Sequence, residues 1–99
     1  MPGMGAETSD LPVAFNLSQN CPNPFNAATG ISYSLSKASP VRLVVNNLMG
    51  QRAVTLVKKY QHVGHHTATW NGSGFSSGIY FYKLTAGAYT EIKRMTLLK

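Results

Sequence analysis

Apolar and polar residues alternate at period two along most of this chain, and no twelve-residue window sustains a helical repeat. The densest run is Gly78-Ile79-Tyr80-Phe81-Tyr82-Lys83-Leu84-Thr85-Ala86. Tyr80, Tyr82 and Leu84 fall on one face and Ile79, Phe81, Lys83 and Thr85 on the other, so only the first face can be wholly interior. A Gly-Ala turn leads into Tyr89, Ile92, Met95, Leu97 and Leu98, and the sequence stops at Lys99 without a polar tail. A last strand that is tied down rather than frayed is expected there.

The same reading gives the other elements in order. From Leu11, Val13, Phe15 and Leu17 alternate with Ala14, Asn16 and Ser18, which predicts a first strand. It halts at Asn20-Cys21-Pro22-Asn23-Pro24-Phe25-Asn26, where two prolines remove ladder donors, and Phe25 is expected to plug one end of the core. Ile31, Tyr33 and Leu35 then oppose Ser32, Ser34 and Ser36. After a turn at Lys37-Ala38-Ser39-Pro40, Val41, Leu43 and Val45 point inward. Gly50 supplies the positive φ that a tight hairpin needs, and Val54 and Leu56 face the core from a strand ending at Lys58-Lys59. His66, Ala68 and Trp70 alternate with His65, Thr67 and Thr69, and the large indole of Trp70 is expected at the centre of the core with Phe75 packed under the following loop. About seven strands, with turn signals every 8 to 12 residues, predict an all-β, antiparallel sandwich of immunoglobulin type.

Composition narrows the range. Ninety-nine residues make one domain, too short for a two-lobed enzyme. Residues 1–10 read as a flexible N-terminal segment or expression remnant, and 11–99 as the domain. Only 12% of residues are charged, an uncommonly low share for which Ser, Thr, Asn and Gly compensate, as in secreted β domains. The net charge of +6 comes from Lys37, Arg42, Arg52, Lys58, Lys59, Lys83, Lys93, Arg94 and Lys99, scattered with no run longer than two. That spacing argues for solubility and against a nucleic-acid patch. Cys21 is the only cysteine, so no internal disulfide forms. No segment has the apolar length of a membrane span.

The inventory is poor in catalytic chemistry. Within Leu11 to Lys99 the only acid is Glu91, which leaves no carboxylate dyad and points to a non-enzyme without cofactor. His62, His65 and His66 form the one tempting metal cluster, but in a strand His65 and His66 point to opposite faces, so neither zinc nor another metal is expected.

Three strings together resemble the C-terminal sorting domain of the type IX (Por) secretion system, a family also akin to the Ig-like domain of flagellar hook-capping proteins. They are Leu17 through Asn26 with its "QNCPNPFN", Val44 to Gly50 with its glycine turn, and Trp70 through Leu84 with "SSGIYFYKL", running into Leu97-Leu98-Lys99. The resemblance spans Leu11 to Lys99. It implies an Ig-like fold and a role as an address for an upstream cargo, carried from the periplasm through the outer-membrane translocon to the medium or cell surface. In many members a sortase-like peptidase then removes the domain and joins the cargo to surface lipopolysaccharide. By position, the family motifs fall on Pro22, Asn23, Pro24 and Phe25, on Gly78, Tyr80 and Tyr82, and on the segment from Lys93 to Lys99. The chain departs from the pattern at Asn47 and Asn71, where relatives often carry aspartate, and at Ala27, where proline is common. Neutral amides there argue against a calcium site. Two other roles stay open: an ancillary carbohydrate-binding module using Phe81, Tyr89 and Tyr60 beside Asn16, Asn46 and Asn71, or a structural Ig-like spacer. A monomer is expected in each case.

Overall fold

The computed structural model describes residues 11–99, so the expected N-terminal segment 1–10 lies outside the described residues. Seven strands form two antiparallel sheets: β1 (Asn16–Leu17), β2 (Ala28–Leu35), β3 (Ser39–Asn47), β4 (Arg52–Gln61), β5 (Gly64–Asn71), β6 (Gly78–Ala86) and β7 (Tyr89–Leu97). One sheet has the order β1-β2-β5 and the other β4-β3-β6-β7. The architecture is an all-β sandwich, consistent with an immunoglobulin-like fold.

Alternation sets which residues are inside. Ile31, Tyr33 and Leu35 of β2 meet Val41, Leu43 and Val45 of β3, Tyr80, Tyr82 and Leu84 of β6, and Met95 and Leu97 of β7 in one buried cluster. The β3–β4 hairpin turns through Gly50 at a φ of 84°, a conformation L side chains rarely adopt. The side chain of Asn47 holds that turn by accepting from the backbone N–H of both Met49 and Gln51 at 2.9 Å.

Several expectations need correction. The predicted first strand from Leu11 shrinks to Asn16–Leu17, and Val13 is 95% exposed. Pro12 removes a donor early in the run, and of this run only Asn16 and Leu17 pair with β2, so alternation upstream finds no ladder partner. Strand β4 runs on to Gln61, where the side-chain carbonyl accepts from the Tyr33 hydroxyl at 2.5 Å. Its apolar residues are half-buried on both faces, because register shifts at Leu43/Val44 and Val45/Asn46 break the strict alternation. In β7, Met95 and Leu97 are buried, whereas Ile92, and Leu98 just past the strand, are more than half exposed. Tyr89 faces inward, stacked on Phe15 at 5.3 Å, so it is not an outward aromatic.

Trp70 is buried, but at one end of the sandwich rather than its centre. Its ring packs against Phe25 at 5.6 Å and against Phe75 and Tyr80 at 5.2 Å each. Offset and edge-on aromatic contacts of this kind add to simple area burial. Replacing Trp70 with Ala should therefore cost roughly 3–5 kcal/mol in urea unfolding followed by circular dichroism. Val13→Ser, in the segment the alternation misread, should change stability by no more than about 0.5 kcal/mol.

Candidate functional site

The expected motif residues come together because the chain between β1 and β2 has to close the open side of the sandwich. It leaves the β2 edge with bonds from Ser18 N to Ser32 O and from Cys21 N to Gly30 O, both 2.9 Å. It then reaches the free edge of β7 in the other sheet. The Gln19 amide donates to Arg94 O at 2.7 Å, Asn23 Oδ1 accepts from Thr96 N at 3.0 Å, Phe25 N donates to Thr96 O at 3.0 Å, and Leu98 N donates to Phe25 O at 2.9 Å. Phe25 and Leu97 thus form a parallel bridge that extends the four-stranded sheet. An exposed strand edge is a liability, and this crossing segment covers it.

Two buried polar groups hold the crossing. Asn20 is 3% exposed, and its amide donates to Pro22 O and to Thr29 Oγ1, both at 3.0 Å, while Oδ1 accepts from Gln19 at 2.7 Å. The Tyr82 hydroxyl donates to Ser18 O and accepts from Asn20 N, both at 2.8 Å. Burial pushes its pKa up to about 12; the Asn20 hydrogen bond opposes the rise and the Glu91 charge adds to it. Tyr89 is likewise raised to about 12, by burial first and then by its hydrogen bond to Glu91 and that residue's charge. Glu91 is correspondingly lowered, chiefly by accepting from Tyr89.

At the end of the sandwich around Trp70, the N-terminal and C-terminal motifs meet. Pro22, Asn23 and Pro24 are exposed and Phe25 is buried beneath them. Gly78 opens β6 at a φ of 150° and pairs with Leu97. The Tyr80 hydroxyl donates to Ser76 O at 2.8 Å. Lys99 donates from its backbone N–H to Ser77 Oγ at 3.0 Å and from Nζ to Ser73 O. Gly72, in the loop that follows Trp70, lies where these pieces touch. A Cβ there would stand 3.1 Å from Leu97 Cδ2, 3.5 Å from Phe25 Cε2 and 3.6 Å from Trp70 Cη2. Its N–H donates to Ala27 O at 2.6 Å.

Lys93 lies mid-strand, across from Tyr82 and away from this end of the sandwich, with its ammonium 3.5 Å from Glu91. The roles of Asn20 and Gly72 had no sequence signal beyond residue type, since both depend on what the fold brings beside them.

A family model for the secretion system C-terminal sorting domain matches residues 21–97. The chain belongs to this family. It is the type IX sorting domain, and the matched span starts just before Pro22 and ends at Leu97, taking in both segments that meet at Phe25. No curated protein matches the chain. The sorting domain family is generally non-catalytic. Among the described residues no group of three or more metal-ligating side chains gathers. The His65 ring bonds Ser34 Oγ at 2.9 Å, and the His66 ring bonds His62 O at 2.9 Å while stacking on Tyr33.

The raised tyrosine pKa values fix a pH dependence. Both groups prefer to be neutral in the folded sorting domain, so their contribution is fully present below about pH 10 and is lost as pH rises from 10.0 toward 12. For buried Tyr82 the rise corresponds to roughly 2–3 kcal/mol. Urea unfolding across this range should show stability falling in step with phenolate absorbance. Tyr82→Phe should be about 1–3 kcal/mol less stable at neutral pH, because Asn20 N–H and Ser18 C=O lose their partner, and should show a smaller alkaline fall.

Proposed function

We propose that this sorting domain is a non-catalytic address that directs an upstream cargo through the type IX outer-membrane translocon, for release or for attachment at the cell surface. Membership of the family supports a role as a C-terminal secretion-sorting signal. The observation that carries the finer reading is the junction at Phe25, where Asn23 of the exposed Pro22-Asn23-Pro24 loop bonds the backbone of Thr96 and Phe25 bonds the backbone of Thr96 and Leu98. Segments about seventy residues apart form one surface there only in the folded state. On this reading the translocon binds that junction, with Gly78, Tyr80 and Tyr82 shaping it from below and Lys99 at its rim. Transit through the periplasm, and removal by a sortase-like peptidase, are parts of the same proposal.

The test is export of a carrier fused ahead of the domain in a type IX-competent host. Wild-type domain should send the carrier to the medium or the surface. Lys93→Ala with Lys99→Ala removes one weak surface ion pair and one rim contact, changes that usually cost less than about 1 kcal/mol each. A variant that melts like wild type while the carrier stays in the periplasm would mean that the cations are read directly. Unchanged export would place recognition on the proline loop, and Asn23→Ala, checked for folding by its melting curve, should then abolish it. If the intact domain exports no carrier from such a host, the sorting function is wrong.

A further inference from the structure

The cations that look scattered in sequence are gathered by the strand register. On the outer face of the four-stranded sheet, Lys58 stands across from Arg42, Lys83 across from Ile92, and Arg94 across from Phe81, with Arg52 across from Asn46. Five of the chain's nine cations therefore share one face, and among the described residues no acid joins them there, since Glu91 projects from the opposite face toward Tyr89 and Lys93. Arg42 and Lys58 are directly opposed like charges, an arrangement that costs stability unless an anion lies between them. Among the described residues no carboxylate pairs with either.

At one end of this face the sheet forms a groove of about 490 Å³, lined by Pro40, Arg42, Lys58, Lys59, Tyr60 and Thr85 among others. Pro40 and Tyr60 are also a cross-strand pair on the same face, and Tyr60 is 65% exposed. On this face the groove thus offers an aromatic ring with its phenol, a proline ring, the two cations Arg42 and Lys58, and the Thr85 hydroxyl. It lies at the end of the sandwich away from Phe25, Trp70 and Lys99, beside the start of β3 and the end of β6.

We propose that this groove binds an acidic saccharide, a sugar ring carrying a carboxylate or phosphate. The Tyr60 ring stacks on the apolar face of the sugar, Arg42 and Lys58 take the anionic group between them, and the Thr85 hydroxyl donates to a ring oxygen. The donor set decides the charge of the ligand. Arg42 and Lys58 can only donate, and no carboxylate among the described residues neutralises them, so the pair favours a ligand that brings an anionic acceptor over a neutral sugar. Charge complementarity selects an anion, and the exposed ring in a concave groove selects a sugar over an acidic peptide. This site is separate from the sorting surface and does not depend on it.

The experiment is calorimetric titration of the domain with tri-galacturonate at low ionic strength, with neutral tri-galactose and tri-glutamate as comparators, and amide NMR shifts to locate binding. Tri-galacturonate should bind with shifts at Arg42, Lys58, Tyr60 and Thr85, and the two comparators at least about tenfold more weakly, the equivalent of one well-formed contact. Arg42→Gln with Lys58→Gln should weaken binding by about tenfold or more, and Tyr60→Ala by about fivefold. The charge-matched control Lys37→Gln with Lys99→Gln, two exposed cations outside the groove, should change it less than about twofold. An equal loss in the control would mean diffuse attraction to net charge and overturn the site. Tri-glutamate binding as tightly as tri-galacturonate would make it an acidic-peptide surface, and no binding of any probe would likewise refute the proposal.

Discussion

The fold depends on how the open side of the sandwich is closed. A strand edge in the four-stranded sheet has to be satisfied, and the segment that does so, residues 19–25, carries two prolines and no ladder of its own. Such a segment keeps its shape only if its remaining polar groups have fixed partners. Tyr82 and Asn20 supply them. The phenol rises from the middle strand pair of one sheet, meets the backbone of Ser18 and Asn20, and so ties the crossing to the core from beneath. Asn20 then holds Pro22 and Thr29. Without these bonds several buried backbone groups would lose partners together, a cost well beyond that of one hydrogen bond.

The interior was legible because burial in a two-layer β fold follows a period of two. Ile31, Tyr33, Leu35, Val41, Leu43, Val45, Tyr80, Tyr82 and Leu84 are all inside, and alternation alone places each of them there. Phe25 and Phe75 were legible as plugs, since a large ring in a turn-rich loop has nowhere else to go. What alternation cannot show is whether a strand finds a partner. Leu11 to Phe15 alternates as well as β2 does, yet no neighbouring strand accepts it. Nor can it show bulges, which is why β4 buries Ala53, Val54, Leu56 and Val57 partially instead of every second residue.

The motif residues show the same division. Their positions could be read along the chain, but Gly72 and Asn20 matter through contacts that exist only when Phe25, Trp70 and Leu97 have converged. The cations are a stricter case. Their spacing in sequence gives no hint of a patch, because neighbours on a sheet face come from different strands and are set by register. Arg42, Lys58, Lys83 and Arg94 are far apart in sequence and meet on one face through three pairings.

A surface assembled this way behaves differently from a linear signal. The loop at Pro22-Asn23-Pro24 and the strand end at Thr96–Leu98 are joined by four backbone-directed hydrogen bonds when the pairings of Gln19 and Phe25 are included. Each end therefore stabilises the conformation of the other. A receptor that binds across the junction gains from that preorganisation, because the ordering entropy is already spent in folding. It also loses the surface whenever the domain opens, even where both segments remain in the chain. Recognition of this kind discriminates folded from unfolded cargo signals by geometry alone, and the discrimination is as sharp as the cooperativity of the sandwich.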